Sequence, residues 1–392
     1  MNQNQFASTG IRTCCLSIAP ILLFALALGC SGSDSPGKEQ KGKREPRKET
    51  KAIAVRAAAF SPDAKLLAVA IGPPPPIVEA SVPEQRTIQL WEVDSGKLLH
   101  TFQVDKPAHA LFFGQNGKKL LACHVDKVTI FDVGRGTKDA HNQLGGIPLA
   151  ILPDGKKILL YGDGQGGRVL ELWDAFTGKF LKKFSGITNP GLSAAISPDG
   201  KWALAPCSPR LTKTGKIDPT IVQLWDLSKG EPRSSFGPDT KLYEPFSFFP
   251  HNKLALGQSL EETSRDGKHK YSLLLLEIPS GKVARIVEPP LRRRKVIGLS
   301  DNGKHLVICD EPQEGAPPSL RRLDLVKHKE LWNVKLPIKE GDGVIMISAL
   351  SADGSKFFRG SGAGFDANRL RLEIWDTVSG KKLRDLKSNP PQ

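Results

Sequence analysis

Between Ala194 and Gly200 a short apolar run, Ala194-Ala195-Ile196, leads into Ser197-Pro198-Asp199-Gly200. From Ile221 the pattern Ile-Val-Gln-Leu-Trp alternates apolar with polar positions before a second polar stretch, Asp226 to Gly230. Alternation with period two marks a half-buried strand. Pro-Asp-Gly supplies the preset φ of proline and the positive φ of glycine that reverse a chain tightly. The stretch therefore predicts two successive hairpins, which together make one four-stranded antiparallel sheet.

The same two phrases recur from one end of the chain to the other. The first appears as Ser61-Pro62-Asp63-Ala64, Gln115-Asn116-Gly117, Pro153-Asp154-Gly155, Ser197 to Gly200, Pro250-His251-Asn252, Ser300 to Gly303 and Ala352-Asp353-Gly354, each followed by lysine within two residues. The second appears as LWEVDSGK from Leu90, IFDVGRG from Ile130, LWDAFTGK from Leu172, LWDLSKG from Leu224, LLEIPSGK from Leu275, RLDLVKHK from Arg322 and IWDTVSGK from Ile374. The order never varies, so residues 53 to 388 divide into seven units of about 48 residues. An all-β array is predicted, with the last four residues, 389–392, as a tail.

These residues resemble the WD-repeat family. Trp91, Trp173, Trp225 and Trp375 fall on its tryptophan position and Asp174, Asp226 and Asp376 on its aspartate, while Phe131, Leu276 and Leu323 substitute in other units. The resemblance implies a seven-bladed β-propeller of four-stranded antiparallel blades around a central channel. The glycine-histidine pair that opens a family repeat is missing from all seven units, so its hydrogen-bond network is expected to be absent. The four tryptophans argue against the periplasmic propellers that carry SPDGK turns without a tryptophan-aspartate pair.

With strands a to d alternating in direction, the a–b and c–d turns share one face and the b–c and d–a connections share the other. The long insertions all fall in b–c: Gly72 to Thr87, Pro206 to Thr220, Gly257 to Tyr271, Asp310 to Arg322 and Arg359 to Arg371. Length variation confined to one face of a rigid scaffold is the pattern of a binding surface. Strand d of the last unit is expected at Lys381 to Leu386, with Thr50 to Val55 the competitor for that edge.

The N-terminus changes the picture. Residues 1–29 contain one charged side chain, Arg12, and an apolar run from Cys15 to Leu28, short for a membrane span and suited to a signal peptide. Ala27-Leu28-Gly29-Cys30 resembles the bacterial lipobox, which implies a lipid on Cys30, membrane anchoring and a cell-envelope address facing the periplasm or exterior. Ala27 and Leu28 depart from the commonest lipobox residues, and a plain secretory signal or an uncleaved anchor is the alternative. Residues 30–52 read as a basic, disordered tether, whose flexible span is roughly 25 Å. The formal charge of +15 over 392 residues permits an acidic partner without naming one.

Candidate chemistry is sparse. Cys123, Cys207 and Cys309 recur on strand b of units two, four and six, too far apart to pair, and read as buried small hydrophobes. Gly162 to Gly167 matches a dinucleotide fingerprint by letter, but a strand and no helix follows it, which predicts a hairpin loop. The eight histidines lack zinc-ligand spacing, so no metal and no cofactor is expected. Arg292-Arg293-Arg294-Lys295 is the one dense basic cluster, placed on the d–a connection into unit six, with Arg321 and Arg322 expected nearby. It suits a phosphate- or carboxylate-bearing partner, an acidic protein or polymer, or else it is a solvated rim. Nucleic acid is not expected, because no aromatic residues interleave with the arginines. The leading reading is a lipid-anchored, non-catalytic binding or assembly platform. The rival is an extracytoplasmic hydrolase or lyase with its site at the channel mouth.

Overall fold

The computed structural model describes residues 53–73, 86–125, 127–164, 167–184, 194–207, 221–236, 242–263, 269–280, 282–291, 294–300, 303–310, 317–336, 346–361 and 370–387. They form seven four-stranded sheets, each built from four consecutive strands paired antiparallel in the order a-b-c-d. The blades span residues 54–103, 110–143, 146–183, 195–236, 242–291, 294–335 and 346–386. The innermost strand of blade one lies beside those of blades two and seven, so the sheets close into a ring. The one described break in the all-β pattern is a single 3-10 turn at Gln115–Gly117.

Period two explains why the sheets stack. In strand c of blade one, Thr87–Glu92, Ile88 and Leu90 turn toward blade two and pack with Leu111, Phe113, Leu120 and Phe131. Trp91 and the following Val93 turn the other way and pack on Leu372 and Ile374 of blade seven. Each sheet thus carries an apolar stripe on both faces, and no blade can bury both without two neighbours.

The turns are equally repetitive. Ser197 Oγ donates to Asp199 Oδ1 at 2.7 Å and accepts the Trp202 amide at 2.9 Å, with Gly200 at φ 69° completing the reversal. Ser61 and Ser351 make the same pair of bonds. A backbone bond then ties the two turns of each blade together: Val93 N to Lys65 O, Leu227 N to Lys201 O and Thr377 N to Ser355 O measure 2.8, 2.8 and 2.9 Å. The a–b and c–d turns therefore share one face.

Blade seven supplies its own strand d, Lys382–Leu386, and the inner strand of blade one is the chain's first, Ala54–Phe60. Among the described residues no strand is borrowed. The ring closes instead through the apolar cluster joining Val55, Ala58, Leu67 and Trp91 to Ala349, Phe358, Ile374 and Leu386. Cys123, Cys207 and Cys309 are buried and form no disulfide among the described residues, and burial pushes the Cys123 thiol well above its ordinary pKa and that of Cys207 up to about 12. Gly164 and Gly167 face each other across the b–c hairpin of blade three, with strand c continuing directly to Asp174.

Candidate functional site

Trp91, Trp225 and Trp375 are buried and Trp173 half-buried, all on strand c. Trp173 Nε1 donates to Glu171 Oε2 at 2.9 Å and Trp375 Nε1 to Glu373 Oε2 at 3.3 Å. Gly162 leaves room for the first of these, since a Cβ there would lie 2.5 Å from the Glu171 carboxylate. The indole N–H groups of Trp91 and Trp225 have no partner among the described residues. Two residues before the tryptophan position stand Gln89, Thr129, Glu171, Gln223, Arg321 and Glu373, all buried and polar. Asp174, Asp226 and Asp376 accept the backbone amides of their own c–d turns, as do Asp132 and Asp324. The tryptophan positions thus pack blade on blade, and the aspartates fix the turns of their own blades.

The basic cluster comes apart. Arg292 and Arg293 lie outside the described residues. Arg294 and Lys295 are not on the connection but open the innermost strand of blade six, Arg294–Ser300, paired with Asp310 and Cys309. Arg321 and Arg322 do not extend the cluster, because strand c of blade six runs Ser319–Asp324 and buries both in its middle. Arg321 pairs with Glu330 at 2.8 Å. Arg322 occupies the position held by Leu90, Leu224 and Ile374 elsewhere, facing blade seven, where its Nη1 donates to Thr377 O at 2.9 Å. Its Nη2 lies 3.1 Å from His305 Nδ1, which must accept, since a guanidinium only donates.

Cys30 with the whole of residues 1–52 lies outside the described residues, as do the cores of the b–c insertions at 74–85, 208–220, 264–268, 311–316 and 362–369. The strands that flank them end on the face opposite the short turns.

On that face a polar group stands between blades one and two, away from every repeated motif. Arg56 sits at a bulge in strand a of blade one, where the register shifts between Val55 and Ala57. A bulge re-aims the side chain it carries. Arg56 Nη1 donates to Pro73 O at 3.1 Å, and burial lowers its pKa. Across the seam between the two blades, His109 precedes strand a of blade two and its amide bonds Cys123 O at 2.9 Å. The His109 Nε2 is shut off from water without a partner, although the residue as a whole is only half-buried. Burial first, then the charges of His124 and Arg56, bring its pKa down to about 4.

His124, fully buried, sits 3.3 Å from Pro107 O through Nδ1 and 3.2 Å from Thr129 Oγ1 through Nε2. A carbonyl only accepts, so Nδ1 carries the proton. Lys127, almost wholly covered, bonds the exposed Asp105, whose pKa that bond lowers. Arg86 donates to the Asp105 carbonyl. At neutral pH His109 is uncharged and a weak base with no carboxylate bonded to it among the described residues, so the group suits binding an anion better than general-base chemistry. Among the described residues no three His, Cys, Asp or Glu side chains converge as a metal site.

Comparison with known proteins agrees with the architecture. No family model matches the chain. It is similar to the eukaryotic translation initiation factor 3 subunit I of Lodderomyces elongisporus, 26% identical over 129 residues, which covers 28% of this chain and 37% of the relative. Against the same subunit from Phaeosphaeria nodorum it is 25% identical over 173 residues, covering 40% of this chain and 47% of the relative. The match spans less than half the length of either relative. In three dimensions it is similar to a chain of the Kuenenia stuttgartiensis hydrazine synthase, with a TM-score of 0.59, 16% identity, and coverage of 87% of this chain and 99% of that one. At that identity the likeness is one of fold. The chain is a seven-bladed β-propeller with WD-like repeats.

Proposed function

We propose that this protein is a non-catalytic binding or assembly platform, held at the bacterial cell envelope by a lipid on Cys30 and gripping its partner with the insertion-bearing face. One observation carries the reading: the longest connections, 73–86 and 208–220 between strands b and c and 184–194 and 336–345 between strands d and a, all start and end on one face, while the described a–b turns on the other face are short. A rigid ring that varies on one face alone concentrates its specificity there. The relatives matched over part of their length are named as a subunit of a larger factor, which fits an assembly role.

The first strand enters the ring on the insertion-bearing face and the last leaves on it. A lipid on Cys30, at the head of the tether, therefore favours turning that face toward the bilayer. The test is capture of partners from solubilised membranes by the full chain, against a variant with 74–85 and 208–220 replaced by glycine-serine. Loss of the captured set in the variant supports the reading, and an identical set overturns it. Labelling with a palmitate analogue tests the anchor: Cys30→Ala is expected to abolish incorporation, and unchanged incorporation removes the anchor from the proposal.

A further inference from the structure

We propose that the cleft between blades one and two, on the insertion-bearing face, is an anion subsite in which Arg56 and His109 hold a phosphate or carboxylate group of a bound partner. The inference rests on reading that face as the binding face, and it names the chemistry the face recognises. Three features lead to it. First, Arg56 is partly withdrawn from water yet bonds a backbone carbonyl, Pro73 O, and no carboxylate lies within ion-pair distance of it among the described residues. A guanidinium in that state is normally matched by an anion, because its desolvation is otherwise uncompensated. Second, the bulge that aims Arg56 into the cleft breaks the strand register there.

Third, the surrounding charge is lopsided. Arg56 on strand a of blade one stands with His124 near His109, while Arg86 before strand c and Lys127 at the start of strand c of blade two meet at Asp105, whose charge also senses His124. Asp105 is the described carboxylate among them, and Lys127 engages it. Lys127 and Arg86 are thus committed, whereas Arg56 and the His109 ring are the groups with hydrogen-bonding capacity to spare. An anion beside Arg56 would lower the penalty of charging His109, so binding would draw a proton onto its ring and add a charged donor to the grip.

The test uses the full chain with ring-labelled histidine, followed by NMR while inorganic phosphate or acetate is added at constant ionic strength, with chloride as the reference salt. The expected result is a saturable shift of the His109 signals at pH 6, and in phosphate a titration midpoint raised by about one unit. Arg56→Gln should abolish both, while Lys65→Gln, on the opposite face, should leave them unchanged. A response to phosphate alone assigns a phosphate-bearing ligand, and a response to acetate a carboxylate. Signals that move equally in chloride, or equally in Arg56→Gln, overturn the proposal. Because chloride is compared within the native chain, the result stands even where the Arg56 variant fails to fold. Failure of partner capture by the loop-replaced variant would leave this readout untouched, so the two readings fall separately.

Discussion

Arg384, on the outermost strand of blade seven, donates a guanidinium hydrogen bond to the carbonyl of Asp94 in the c–d turn of blade one. The two residues stand at opposite ends of the ring's sequence, and the bond is the last of a series. Asn142 reaches Phe176 O at 2.7 Å, Lys182 reaches Ser228 O at 2.5 Å, Ser234 reaches Pro279 O at 3.1 Å and Trp332 reaches Val378 O at 3.2 Å. In each case an outer strand caps a turn carbonyl of the next blade. Turn glycines make the approach possible: a Cβ at Gly96 would lie 2.9 Å from the Arg384 side chain, and one at Gly380 3.0 Å from the Trp332 ring. Arg384→Ala is expected to lower stability by about 1 kcal/mol, read as the denaturation midpoint. Truncation after Ser379, which removes strand d of blade seven and Leu386, should abolish the cooperative transition. A truncated chain that melts like the native one would mean the ring closes by other means.

Trp225 fills the space between blades three and four, fully buried with Phe184 edge-on at 6.1 Å. Trp225→Ala should cost roughly 3 to 5 kcal/mol. Trp332→Ala, at a partly exposed outer strand, should cost clearly less. Chemical denaturation of the two variants side by side checks the order.

Arg359 and Glu373 form a salt bridge at 3.1 Å with both side chains nearly closed to solvent, and the same carboxylate accepts the Trp375 indole. Removing one partner leaves a buried charge, so Glu373→Ala should destabilise by about 3 to 5 kcal/mol. The double change Arg359→Met with Glu373→Leu is expected to recover most of that loss. Equal stability of the single and double variants would show that the pair is not coupled.

His109 makes stability pH-dependent. Its folded pKa of about 4 lies below the ordinary 6.5, so between those values the unfolded chain holds a proton that the folded chain lacks. Stability therefore falls as pH drops from 6.5 toward 4 and the loss is complete below that. The loss by pH 5 should be about 1 kcal/mol, less than the full shift implies because the residue is half-buried. His109→Gln should flatten the profile from pH 7 to 5 when thermal midpoints are compared across that range.

The turn aspartates act at lower pH. Hydrogen bonds hold Asp132 below the ordinary carboxylate range, first from Lys119 and then from the Arg135 amide, and Asp324 likewise, first from the Lys327 amide. A lowered folded pKa gives stability that is present above the unfolded value of about 4 and is lost as pH falls through the folded values. An acid unfolding limb below pH 4 should shift when Asp132→Asn is introduced, as followed by circular dichroism.

Ring architecture was legible in the chain because it depends on local, repeated chemistry. Period-two alternation fixes which residues face a neighbour, and Ser-Pro-Asp-Gly and Ser-Gly-Lys fix where strands reverse, so seven copies of both phrases determine seven blades. The three cysteines were readable for the same reason, since Cys123 and Cys309 occupy the same place on strand b and Cys207 lies one residue further along it. Tertiary structure decided what no single repeat contains. Arg321 and Arg322 looked like surface charge because arginine is usually exposed, and only the depth of strand c and the facing Thr377 carbonyl make them interior residues. Arg56 and His109 lie more than fifty residues apart in chain order and belong to different blades, so their meeting depends on the stacking of two sheets and on a bulge that no residue type announces. Repetition determines the scaffold by itself. The cleft is decided where repeats break register, because a side chain's environment there is set by the neighbouring blade and not by its own.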